Sequence, residues 1–180
     1  MDTYKNYMHG FTIVELLIVI VVVAILAAVT VGAYQGTQGR AKDAQRAQDL
    51  KAISKALELY KVQTGSYPAP STGSNTTNSW EVSSKSPAQF LSILVTSGVL
   101  KGKVPVDPVN TVDGMEYKYY RYSSTNTSNG CTQSRGDYYV LLATKAESTS
   151  GQLSSSPGFS CSGRNWSIEG GWVTGGFTNG

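Results

Sequence analysis

The sequence predicts an α+β chain: a long N-terminal helix, apolar in its first half and amphipathic in its second, packed on a small antiparallel β-sheet head. Three observations carry this. Residues 11–33 form an apolar run with a single charge, Glu15. Ala47, Leu50, Ile53, Leu57 and Tyr60 then recur every three or four residues, the period of one helix face. Tyr117–Tyr122 and Tyr138–Ala143 are aromatic and β-branched enough for strands.

At about 1.5 Å per residue, residues 11–33 make roughly 34 Å of helix, enough to cross a bilayer's hydrocarbon core. An ionised side chain inside lipid costs on the order of 3 kcal/mol or more, so Glu15 needs a partner or a purpose there. It lies one turn, about 6 Å, beyond Phe11. A cut after Gly10 would give Phe11 a free α-amine near this carboxylate or near its copy in a neighbouring chain. Two plainer readings stand beside this one. A first-turn carboxylate gains about 0.3 to 1 kcal/mol from the helix dipole. The run also has the small residues Val31-Gly32-Ala33 of a secretory cleavage site, but it is longer than the usual h-region and its leader offsets Lys5 with Asp2.

The run Gly10-Phe11-Thr12-Ile13-Val14-Glu15, with its apolar continuation, resembles the class III signal of type IV pilins and pseudopilins. The resemblance implies a pilin-like fold and a leader of residues 1–10. A prepilin peptidase would cut after Gly10 and N-methylate Phe11, and Glu15 would serve assembly. It implies a homo-oligomeric filament, with an assembly platform protein and an ATPase as partners. Residues 11–33 would hold a single-pass protein in the cytoplasmic membrane before it enters a surface filament. Many pilins have a proline near the end of this stretch; here stands Gly32, followed by Gly36 and Gly39. Each glycine weakens a helix by about 1 kcal/mol, and together they are expected to let the segment stretch as subunits pack. Ala56-Leu57-Glu58-Leu59-Tyr60 leading to Gly65-Ser66-Tyr67-Pro68, and the turn Val104-Pro105-Val106-Asp107-Pro108, are similar to segments of the major pseudopilins. The expected function is therefore a structural subunit of a type IV pilus-like filament serving adhesion, twitching motility or DNA uptake. The alternatives are a pseudopilin of a type II secretion or competence system and, from another class, an anchored adhesin that never polymerises.

A chain of 180 residues, 40% hydrophobic and 15% charged, allows one anchoring helix and one modest head. The head is expected over 65–180, after an amphipathic helix over 34–64. The net charge of +3 is too small to indicate nucleic acid. Counted literally, Arg40, Lys42 and Arg46 against Lys5 put the C-terminal side in the cytoplasm. The resemblance puts it outside, and so do the cysteines. Cys131 and Cys161 lie in Ser-, Asn- and Gly-rich surroundings that suit a disulfide in an oxidising space, worth about 3 kcal/mol. Two unlinked buried thiols are the other reading.

Gly65 and Pro68 stop the helix near Thr64. Its outer face, with Arg40, Lys42, Arg46, Lys51, Lys55 and Lys61 against Asp43, Asp49 and Glu58, is expected to be solvated. Residues 69–79 suggest an exposed loop. Ser86-Pro87-Ala88-Gln89 has the form of a capping box opening a short helix through Phe90, Leu91 and Leu94. Asp107, Asn110, Asp113 and Glu116 supply oxygen donors, but not at EF-hand spacing, so no metal or other cofactor is expected and calcium is the only candidate considered. Residues 166–173 are a weaker third strand. Residues 123–136 and 148–163 are polar loops, and Asn75, Asn126 and Asn165 begin N-glycosylation patterns. Tyrosines interleaved with Lys118 and Arg121 have the form of a stacking platform for nucleic acid, but a strand with one face on the core explains them better. The sole histidine, His9, falls in the leader, and no phosphate loop or nucleophile motif is present, so no enzyme is expected.

Overall fold

The computed structural model describes residues 11–71 and 76–179, without the side chains of 30–33 and 35. It divides into two units, one ending at Gln38 and the other running from Gly39 to Gly180. Helix α1 (Ile13–Thr64) supplies the first unit and the opening of the second.

In the first unit every described side chain from Phe11 to Val29 is exposed. Among the described residues no helix is long and apolar enough to cross a membrane. The expected span, 11–33, extends past Val29 into residues whose side chains lie outside that description.

In the second unit α1 lays Ala47, Leu50, Ile53, Ala56 and Leu57 against a five-stranded antiparallel sheet. It stops where expected: Gly65 takes φ +85, a left-handed conformation that costs glycine nothing, and its N–H donates to the Lys61 carbonyl at 2.8 Å. The sheet contains β1 (Thr76–Thr77), β2 (Trp80–Val82), β3 (Tyr117–Tyr122), β4 (Tyr138–Ala143) and β7 (Trp172–Phe177), in the order β1-β2-β3-β4-β7. A separate hairpin pairs β5 (Ser160–Cys161) with β6 (Arg164–Asn165). Strands β3 and β4 have the bounds read from the sequence, and they pair in full register from Tyr117 with Ala143 to Tyr122 with Tyr138.

Strand β4 is buried at all six positions. Tyr139, Leu141 and Ala143 face α1, while Tyr138, Val140 and Leu142 meet a second cluster with Trp166, Val173 and Phe177. The polar loops and their disulfide supply that second cover, because Cys131, Phe159 and Cys161 pack against it. Three expectations are corrected. The third strand lies later than 166–173, since Trp166–Ile168 forms a 3-10 turn capped by Asn165, whose side chain accepts from Ser167 N. The short helix is only α2 (Ile93–Thr96), because Leu91 stands at φ +45 and interrupts it. The buried carboxylate of Glu81 accepts the Leu91 N–H at 2.6 Å and holds that kink, while no capping box forms at Ser86 and Gln89 among the described residues. Finally, the loop expected over 69–79 contains β1, which pairs with β2 as a hairpin.

Candidate assembly site

Gly10 and His9 lie outside the described residues, and Phe11 is 89% exposed. Thr12 opens α1. Its N–H and its hydroxyl donate to one carboxylate oxygen of Glu15 at 2.8 and 2.7 Å, and its hydroxyl accepts the Glu15 N–H at 3.2 Å. This is a reciprocal capping box, in which two end groups of the helix are satisfied at once. Thr12 was not singled out in the sequence, although Thr-x-x-Glu ahead of an apolar run is its signature. Glu15 therefore has a local partner in the subunit, on a rod whose other described side chains to Val29 carry no charge. Fourteen large apolar side chains between Phe11 and Val29 are 47% exposed or more. At about 1.5 to 3 kcal/mol for each side chain fully buried, covering them is worth on the order of 20 kcal/mol.

Further along, Gly36 has open space where a Cβ would stand, and at Gly39 a Cβ would meet Glu147 at ordinary contact distance, its Cβ at 3.4 Å and its backbone carbonyl at 3.7 and 3.8 Å. Neither position needs glycine for room within the subunit.

The head begins with a buried ion cluster, which corrects the expectation of a solvated outer face. Arg46 is 0% exposed and Asp43 3%. Arg46 donates to Asp107 at 2.7 and 3.0 Å, to Asp43 at 2.7 Å and to Glu147 at 3.0 Å. Asp43 also accepts the backbone N–H groups of Glu147 and Ser148. Burial pushes the Asp43 carboxyl up, but hydrogen bonds from Ser148, Glu147 and Arg46 outweigh it and leave the group below the usual carboxylate range. Burial likewise works against the Arg46 charge, and Asp107, Glu147 and Asp43 more than restore it. Nearby, burial raises Asp49, and burial together with Asp49 holds the Tyr117 hydroxyl far above its ordinary value. Lys51 and Lys55 remain exposed.

Of the four oxygen donors considered for calcium, three have separate partners and Asp113 is exposed. Asp107 is occupied by Arg46 and by the N–H groups of Val109 and Asn110. Asn110 bonds Ser83, and Glu116 bonds Ser84 and lies 3.1 Å from Lys118. Among the described residues no group of three or more His, Cys, Asp or Glu side chains is placed to hold a metal ion. The tyrosines of the considered nucleic-acid platform mostly point inward, with Tyr117, Tyr119 and Tyr122 buried. Arg121 donates to the Tyr67 carbonyl at 2.7 Å. Cys131 and Cys161 are joined as a disulfide with Cα atoms 4.9 Å apart.

Comparison with known proteins matches residues 5–31 to the prokaryotic N-terminal methylation motif and residues 33–129 to type II secretion system protein G. The chain is 33% identical to the type II secretion system core protein G of Pseudomonas aeruginosa over 104 residues, 58% of this chain and 70% of that one. It is 33% identical to core protein G of Aeromonas hydrophila over 38% of this chain and 48% of that one. It is also 33% identical to a fimbrial protein of Neisseria meningitidis serogroup B, over 56% of this chain and 58% of the relative. No solved structure matches.

Proposed function

The chain belongs to the type IV pilin and pseudopilin family, and from that premise we propose that it is a structural subunit of a type IV pilus-like filament. In this reading the subunit is cut after Gly10 by a prepilin peptidase and N-methylated on Phe11. Residues 11–33 hold it in the cytoplasmic membrane, and a platform protein and an ATPase build it into a surface filament. The observation that carries the proposal is the bare apolar rod of α1 with Glu15 in its first turn. Nothing in the described chain covers that surface, so lipid must cover it before assembly and copies of the same rod afterwards.

Glu15 then exchanges its local bond to Thr12 for the α-amine of a neighbouring Phe11. In a dry bundle a misaligned copy leaves charges unpaired, at a cost of several kcal/mol, which sets the axial register. The test separates this role from capping, because glutamine preserves a capping box and removes the charge. Glu15→Gln should accumulate in the membrane, cleaved and folded, yet yield few or no filaments by electron microscopy. Wild-type filament yield from that variant would leave Glu15 as a helix cap only. N-terminal mass spectrometry of the same material should show N-methylated Phe11.

A second reading, a pseudopilin of a type II secretion or competence system, is favoured by the protein G match across residues 33–129. Long surface filaments labelled by antibody to this chain support the pilus; short assemblies confined to the envelope support the pseudopilin. An adhesin that never polymerises would tolerate Glu15→Gln in every assay.

A further inference from the structure

The sheet's second face carries a trough outside the covered cluster. The register fixes its walls: Thr77 pairs with Trp80, Val82 with Lys118, and Lys118 with Leu142, so Thr77, Trp80, Lys118 and Leu142 share one face. Arg164 and Glu169, from the C-terminal cover, close the other side of a cavity of about 320 Å³. That volume is at the small end of the roughly 300 to 1,000 Å³ usual for small-ligand pockets.

Its chemistry is selective. Lys118 is already 3.1 Å from Glu116, and Arg164 donates twice to Glu169, at 2.8 Å each. Both cations are therefore neutralised, and a charged ligand would have to break a pair to gain one. What is left is hydrogen-bonding capacity without net charge. Lys118 and Arg164 retain N–H groups beyond those used by the carboxylates, and the Thr77 hydroxyl oxygen is buried with no partner among the described residues. Trp80 adds a planar apolar wall, backed by the Tyr120 ring at 5.7 Å. A pyranose has the matching form, with a face of C–H groups and a rim of hydroxyls that both donate and accept. We propose that this trough is a subsite for an uncharged pyranose, with Trp80 stacking on the sugar face and Thr77, Lys118 and Arg164 meeting its hydroxyls.

The full chain in detergent micelles is titrated with the methyl glycosides of glucose, galactose and N-acetylglucosamine, and with glucuronate as the acidic control. Binding is followed by saturation-transfer NMR and tryptophan fluorescence. At least one neutral glycoside should bind saturably and more tightly than glucuronate. Trp80→Ala should weaken it roughly tenfold or more, and Trp80→Phe, which keeps an aromatic wall, much less. Thr77→Val, read in the same assay, should weaken it several-fold and serves if Trp80→Ala fails to fold. No saturable binding by the wild type, tighter binding of glucuronate, or undiminished binding by a folded Trp80→Ala or Thr77→Val would overturn the proposal.

Discussion

Arg46 meets three carboxylates within 3.0 Å, and the side chains of Arg46 and Asp107 are both wholly buried. Removing one partner of such a set is worse than never having had it, because the others stay buried without compensation. Arg46→Met should therefore destabilise the detergent-solubilised chain by about 3 to 5 kcal/mol in urea unfolding. The acid-side pH dependence should weaken with it. Asp43 is held below its unfolded value, so its stabilisation is complete above about pH 4 and is lost as pH falls through the lowered folded value. In Arg46→Met, Asp43 loses one of the donors that lower it, so less stability should be lost as pH falls below about 4. Equal slopes in the two proteins would mean that the cluster is not coupled to folding. The outer-face reading missed a signal that was there: Asp43, Arg46, Leu50, Ile53 and Leu57 follow one another at three and four residues, so the buried stripe starts a turn before its first apolar member. The partner left no such signal. Asp107 lies 61 residues away in a segment that has every mark of a surface turn, and no local pattern ties it to Arg46.

Strands β3 and β4 were legible to the residue because tyrosines are dense there, whereas β7 was hidden by Gly175 and Gly176, which weaken any strand signal. The structure gives the reason for the glycines. A Cβ on Gly175 would stand 2.5 Å from the Phe159 ring and 2.6 Å from the Tyr139 carbonyl, and one on Gly176 would stand 2.8 Å from the Tyr67 hydroxyl and 2.9 Å from Glu58. Both record close approach by layers that sequence does not place: the C-terminal loops on one side, α1 and Tyr67 on the other. Gly175→Ala should overpack the second cluster and cost about 1 to 3 kcal/mol in urea unfolding. Phe159→Ala in the same background should recover part of that loss, and a second change that only adds to the first would show that the strain lies elsewhere. The capping-box pattern at Ser86 failed for a comparable reason. Local preference favoured a helix there, but Glu81 from β2 captured the Leu91 N–H.

At the scale of the whole molecule, one helix has two tasks. From Gly39 onward α1 is fixed to the head by its apolar stripe and by Arg46, while Phe11 to Val29 is left bare. Between them stand Gly32, Gly36 and Gly39 within a helix assigned without interruption from Ile13 to Thr64. If the subunit alone determined these residues, alanine would be the better choice, since Gly36 and Gly39 have room for a Cβ and each exchange favours helix by about 1 kcal/mol. We propose that the reason for glycine lies in the filament, with α1 lengthening or unwinding there as it packs among its copies. The double variant Gly36→Ala/Gly39→Ala should fold, reach the membrane and be cut like the wild type, with equal or higher helix content by circular dichroism. Its filaments should be several-fold fewer, and those that form should show unbroken α-helix through residues 32–39, where wild-type filaments should show a melted stretch. Wild-type yield from the variant, or continuous helix in the wild-type filament, would assign these glycines no part in assembly.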